Sequence, residues 1–204
     1  MKRIGIYGGS FDPVHYGHLL LAESCREQVP LDEVWWVPNQ CSPFKQDQKP
    51  AAPSHRRTML ELATGGHDAF RVEPIEIERE GVSYTVETLE ELSQRHPDYR
   101  WFLLMGSDSL AGFPAWRSPD RILELATLVA VTRPATAGSG KPSSPAGSKL
   151  DVPHRRVEMP LVGISSTDLR ARVAAGRSIR YQTPRAIEEY IRQHGLYRGA
   201  LGDG

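Results

Sequence analysis

Trp101–Met105 reads Trp-Phe-Leu-Leu-Met, five apolar residues without a polar interruption. A strand wetted on one face alternates apolar and polar residues, so an unbroken apolar stretch belongs in a sheet covered on both faces. Other short stretches fit the same sheet. Arg3–Tyr7 runs into Gly8-Gly9-Ser10, Glu33–Val37 stops at Pro38, and Leu128–Thr132 is a further strand. Phe70–Glu78 alternates as a strand interrupted near Pro74, and Val157 marks a short one. Helical spacing fills the intervals. Tyr16–Gln28 carries Leu19, Leu20, Ala22 and Cys25 on one side and ends at Val29-Pro30. Ser54–Ala63 has Ser54 as its expected cap, Thr85–Arg95 is amphipathic, and a helix closes over Ile122–Ala126. Two more are expected at Thr167–Ala175 and Pro184–His194.

Strands alternating with helices predict an α/β fold: a Rossmann-like, doubly wound parallel sheet with helices on both faces and a small C-terminal helical portion. The 204 residues suffice for one core, and residues 1–198 are read as a single domain. Residues 135–150, rich in Gly, Ser, Pro and Lys, are expected to form a flexible surface loop, and 199–204 a frayed tail. Lys+Arg and Asp+Glu number 25 each, so no net field argues for nucleic acid or a membrane surface as partner. No stretch approaches a membrane span or the apolar region of a signal peptide. Cys25 and Cys41 match no metal-ligand pattern, and free thiols without an export signal suggest a reducing cytoplasm. Oligomeric state leaves no mark in the sequence.

In sheets of this class ligands bind beyond the carboxyl ends of the strands. There, after the first strand, stands Gly8-Gly9-Ser10-Phe11-Asp12-Pro13-Val14-His15-Tyr16-Gly17-His18. Glycines let backbone amides approach a ligand, and a helix start offers unpaired N–H groups to an anion. His15 and His18, three apart, would project from neighbouring faces of the first turn, and Gly17 leaves out a side chain that could obstruct a phosphate. Incidental histidines at a plain turn would explain the same residues one by one, but not their coincidence at one strand end. A zinc site is the other competitor; it lacks His-Glu-x-x-His and a third ligand. Gly138-Ser139-Gly140-Lys141-Pro142 fails as a Walker loop, because Pro142 stands where Ser/Thr is required and Ala135 where Gly is. No Gly-x-Gly-x-x-Gly follows the first strand.

Together with Pro43-Phe44-Lys45, Ser83–Leu89, Gly106-Ser107-Asp108, Trp116 and Ile164-Ser165-Ser166-Thr167-Asp168-Leu169-Arg170, the opening segment resembles the nucleotidyltransferases related by fold to class I aminoacyl-tRNA synthetases. Within them it is similar to the bacterial nicotinate-nucleotide adenylyltransferases, from Lys2 to about Tyr197. The composition of the Ala135–Leu150 segment departs from that pattern. The resemblance implies adenylyl transfer from ATP to nicotinate mononucleotide, giving nicotinate adenine dinucleotide (deamido-NAD) and pyrophosphate in NAD biosynthesis. It implies His15, His18, Lys45 and Arg170 as catalytic groups. ATP would lie against Gly8, Gly9, Ser10, Phe11, Gly106, Asp108, Ile164, Ser165 and Ser166, with Asp108 on the adenosine. For the acceptor it implies Asn39, Lys45, Tyr84, Thr85, Trp116 and Arg133, with Trp116 stacked on the pyridine and Thr85 near its carboxylate. Mg²⁺ would arrive with ATP, no carboxylate cage being offered.

The same motifs recur in enzymes acting on nicotinamide mononucleotide or phosphopantetheine. The phosphopantetheine enzymes generally carry Thr-x-Gly-His in a shorter chain, against which His15 and the length count. A nucleotide sensor without turnover would not need His15, His18, Lys45 and Arg170 intact. A synthetase-like RNA role would need an anticodon domain and a basic surface.

Overall fold

The computed structural model describes residues 1–41, 50–79, 81–132 and 152–198. Lys45, Arg133, and the 135–150 and 199–204 segments lie outside them.

Strands β1 (Lys2–Gly9), β2 (Glu33–Pro38), β3 (Phe70–Val72), β4 (Tyr99–Gly106), β5 (Ala126–Thr132) and β6 (His154–Glu158) form one sheet in the order β3-β2-β1-β4-β5-β6. Every pairing is parallel. The chain moves outward from β1 to β3, crosses back to β4, and moves outward the other way. That reversal opens a crevice beyond the carboxyl ends of β1 and β4.

Period-two alternation sends neighbouring residues to opposite cores. Trp36, Phe102, Leu104 and Val129 pack under α1 (Tyr16–Gln28), α2 (Pro53–Thr64), α7 (Ser166–Ala174) and α8 (Arg185–Gln193), through Ala22, Cys25, Met59, Leu60, Leu169 and Ile187. Trp35, Trp101, Leu103 and Met105 pack under α3 (Ile75–Glu78), α4 (Thr85–Arg95), α5 (Ser107–Gly112) and α6 (Pro119–Leu125), through Ile75, Leu89, Leu92, Leu110 and Ile122. The double cover expected of Trp101–Met105 is present. Cys25 and Cys41 form no disulfide, and no described helix is long and apolar enough to cross a membrane.

Most element ends shift by a residue or two from the sequence reading, and three of the differences have a clear physical cause. Pro53 takes the first position of α2, so Ala52 is its cap and Ser54 lies inside the helix. Phe70–Glu78 is not one strand: β3 ends at Val72, and Pro74 precedes the short helix α3. A proline fixes φ and lacks the N–H a strand would donate, while a helix start needs neither. Ala126 opens β5, paired with Trp101, instead of ending α6.

Gly5, in central strand β1, makes room for the sheet's own neighbours. A Cβ there would lie 2.8 Å from Leu31 Cδ1 and 3.0 Å from Leu104 Cδ1. Gly5→Val should therefore lower the free energy of unfolding by about 1–3 kcal/mol, and Gly5→Ala by less. Urea midpoints at constant m-value check this; an unchanged midpoint for the valine variant would contradict the packing.

Candidate active site

The cleft over β1 and β4 has a volume of about 1050 Å³, at the upper end for drug-sized ligands and enough for two nucleotides side by side. Its first wall is the turn after β1. Gly9 has no side chain where the Phe11 ring passes, an added Cβ meeting that ring at 3.0 Å. Phe11 adopts a left-handed φ of 46°. A large residue holds that conformation only when its surroundings fix it. Phe11 is buried, its ring edge-on to Tyr7 at 5.3 Å and to His18 at 5.2 Å.

His15 caps α1 with extended backbone, and His18 occupies the third helical position. The His15 N–H donates to His18 Nδ1 at 3.2 Å, and the two rings stack with centroids 3.7 Å apart. Accepting at Nδ1 leaves the neutral His18 ring with its proton on Nε2. His15 is buried, and its Nδ1 has no hydrogen-bond partner among the described residues. Burial pushes its pKa down to about 4, so the ring is neutral at pH 7. Gly17 also makes room for the His15 imidazole: a Cβ there would meet that ring at 3.0 Å.

The opposite wall is the start of α7. Ser165 caps it, its Oγ accepting from Asp168 N–H at 3.1 Å. Ser166 Oγ donates to the Pro13 carbonyl at 2.9 Å, and Arg170 Nη1 to the Asp12 carbonyl at 2.7 Å. The early and late phosphate-binding candidates thus meet across one cleft, which Ile164 also lines. The C-terminal region buttresses the turn: Thr183 Oγ1 donates to Val14 O at 2.7 Å and the Tyr197 hydroxyl to Asp12 Oδ1 at 2.6 Å. Burial and the Asp12 carboxylate raise the Tyr197 pKa, keeping this hydroxyl a donor.

At the other end the cleft is lined by Asn39 after β2, by Tyr84 and Thr85 at the start of α4, and by Trp116. Among the described residues no side chain caps α4, which leaves its first amides to other acceptors. Trp116 leans on Phe113 at 5.5 Å, and the Arg117 guanidinium lies over Tyr84 at 4.5 Å. Gly8, Gly9, Ser10 and Gly106 line the floor and walls. Asp108 is not brought in. It sits exposed in the first turn of α5, while Gly106 and Ser109 face the cleft. Lys45 and Arg133 fall outside the described residues.

Sequence reasoning passed over Asp12, Arg56 and Arg117. Asp12 stood inside the opening segment, and only the fold reveals its long-range partners. Arg56 precedes Met59 by three residues and Leu60 by four, which places it on the buried face of α2. That spacing was a usable signal. Nothing local marks Arg117.

Residues 6–172 match the family model described as cytidylyltransferase-like. A relative from Salinibacter ruber is 46% identical over 195 residues, covering 96% of this chain and 97% of its own. One from Bacillus pumilus is 41% identical over 197 residues, covering 97% and 99%. Both carry the name probable nicotinate-nucleotide adenylyltransferase. The structure of Plasmodium falciparum nicotinic acid mononucleotide adenylyltransferase complexed with NaAD superposes with a TM-score of 0.78 at 20% identity, over 97% of this chain and 98% of that one. That likeness establishes the shared fold. With identities of this size over nearly its whole length, the chain belongs to the nicotinate-nucleotide adenylyltransferase family, within the cytidylyltransferase-like group.

Proposed function

We propose that the chain transfers the adenylyl group of ATP to the 5′-phosphate of nicotinate mononucleotide. A phosphate oxygen of the acceptor forms the new bond to the α-phosphorus. The bond from that phosphorus to the bridging oxygen breaks, and pyrophosphate leaves with the electron pair. The product is nicotinate adenine dinucleotide. The observation that carries this reading is the meeting of the His15–His18 turn with the Ser166–Arg170 helix start across one cleft.

Such a transfer needs alignment and charge stabilisation rather than a protein nucleophile. In this reading the Nε2–H of His18 hydrogen-bonds the α-phosphoryl oxygen as charge grows, and neutral His15 serves as a hydrogen-bonding partner that carries little desolvation penalty. Arg170, already held by Asp12, presents its guanidinium fork to the β- and γ-phosphates. Lys45 would add a mobile positive charge. Mg²⁺ would arrive with ATP and would offset phosphate charge; Oδ1 of Asp12, the carboxylate of the turn, already accepts from Ala51 and Tyr197.

At the acceptor end, Trp116 would stack on the pyridine ring. The uncapped start of α4, with its partial positive charge, would receive the carboxylate of the nicotinate. A neutral carboxamide gains less from that charge, which favours the acid over nicotinamide mononucleotide. Arg133 would attract the acceptor's negative charge.

Offered ATP and Mg²⁺ with nicotinate mononucleotide, nicotinamide mononucleotide or phosphopantetheine, the protein should release pyrophosphate with a kcat/KM on the order of 10–100-fold higher for the first. A better rate with either of the others would reassign the acceptor. His18→Ala should retain the circular dichroism spectrum and lose on the order of 10²–10³ in kcat; undiminished turnover would remove His18 from the chemistry. The His15 environment makes a separate prediction. Its folded pKa lies at about 4 against 6.5, so between these values the unfolded chain binds a proton that the folded chain refuses. Stability must then fall as pH drops through that window. His15→Asn should remove about 1–3 kcal/mol of the fall; urea midpoints on either side of the window measure it, and equal slopes in both proteins would contradict a buried neutral ring.

A further inference from the structure

Arg56 is fully buried at the edge of the cleft, and none of the roles above uses it. Its guanidinium is saturated by polar groups of three separate segments. Nε donates to the Ala51 carbonyl at 3.0 Å, and Nη1 to the Ser10 carbonyl at 2.9 Å and to Asn39 Oδ1 at 3.3 Å. Nη2 donates to the carbonyls of Asn39 at 2.7 Å and Gln40 at 3.3 Å. Five bonds match the five N–H donors an arginine possesses. Burial weakens its hold on the proton, yet an arginine remains charged under all ordinary conditions. A buried cation satisfied chiefly by main-chain oxygens is a costly way to join loops if packing alone were required.

The contact with Asn39 is the informative one. An amide side chain has one accepting end and one donating end. Because Arg56 donates to Oδ1, the amide is turned so that Nδ2 faces away from the arginine, toward Ser10 Oγ at 3.4 Å and the cleft. The second bond, to the Asn39 carbonyl, fixes the backbone from which that side chain springs.

We propose that Arg56 is a positioning residue for the acceptor, holding Asn39 so that its amide donors face the acidic nucleotide in the cleft. The inference rests on the acceptor reading given above. Arg56 touches no reacting atom; it acts through Asn39. Lysine keeps the charge, but its single ammonium on a flexible stem cannot reach Ala51, Ser10 and both oxygens of Asn39 together.

The test is a double-substitution cycle in the full chain, with steady-state kinetics for each substrate. Arg56→Lys should raise KM for nicotinate mononucleotide on the order of tenfold, while KM for ATP stays within about threefold. Asn39→Ala should raise the acceptor KM by a similar factor, and adding Arg56→Lys to it should change that KM less than about twofold. A merely structural arginine would lower kcat with the active fraction and leave the acceptor KM in place. That outcome, or multiplication of the two effects in the double variant, overturns the proposal. Should Arg56→Lys fail to fold, Asn39→Ala alone decides, since an unchanged acceptor KM there removes the residue through which Arg56 is said to act. Failure of the acceptor reading itself would appear already in the unsubstituted chain, as no turnover with nicotinate mononucleotide.

Discussion

Asp12 is the point at which the two ends of the chain are fastened to one another. Its main-chain carbonyl accepts from Arg170, 158 positions later, and its carboxylate accepts from Tyr197, 185 positions later, and from the Ala51 amide. A carboxylate this deeply buried persists only if its lone pairs are filled by donors and its charge is answered nearby. Oδ1 takes both donors, and Arg170 Nη1, 3.7 Å from Oδ2, answers the charge. The site depends on this fastening because the His15–His18 turn and the α7 start belong to opposite ends of the sequence. Ser166 on the Pro13 carbonyl and Thr183 on the Val14 carbonyl add to it.

The cleft departs from what stability alone would favour. Phe11 holds a backbone conformation that a large side chain resists, and His15 buries an imidazole nitrogen with no described partner. An unsatisfied buried polar atom costs about 1–3 kcal/mol. The aromatic contacts of Phe11 and the bond from the His15 N–H to His18 Nδ1 offset part of that loss. Pre-alignment of groups that meet a phosphate is a physical reason for such a penalty to be kept.

Much of this was legible before any coordinates. Tyr16–Gln28 and Thr85–Arg95 agree with the sequence reading residue for residue, because the breaks at Val29-Pro30 and His96-Pro97 mark their ends. The parallel sheet followed from uninterrupted apolar strands. The phosphate turn was visible because its residues are contiguous. What stayed hidden was either non-local or decided by one proline. Pro74 diverted a strand-like pattern into α3, and Pro53 moved the α2 cap from Ser54 to Ala52. Asp108 follows an apolar strand, as site residues in this fold do, and lies exposed in the first turn of α5 next to Ser109, which lines the cleft. Arg56 was passed over although its spacing to Met59 and Leu60 puts it on the buried face of α2, whereas Arg57 is exposed and paired with Glu61.

The topology explains why the polar joints cluster where they do. A doubly wound sheet delivers its loops to the crevice from two directions, the β1 and β2 loops from one half and the β4 and β6 continuations from the other. Hydrophobic burial beneath the sheet's two faces fixes the strands, but it is non-directional and cannot set the orientation of loops above the strand ends. Directional bonds must do so. Arg56 performs this task within the first half, joining Ser10 to Asn39, and Arg170 performs it between halves, joining Asp12 to α7. Planar guanidinium groups suit both places because a rigid fork fixes direction as well as distance. The two arginines differ in exposure, Arg56 being enclosed and Arg170 remaining partly open to the cleft. That difference separates a group that shapes the site from one still able to meet a ligand.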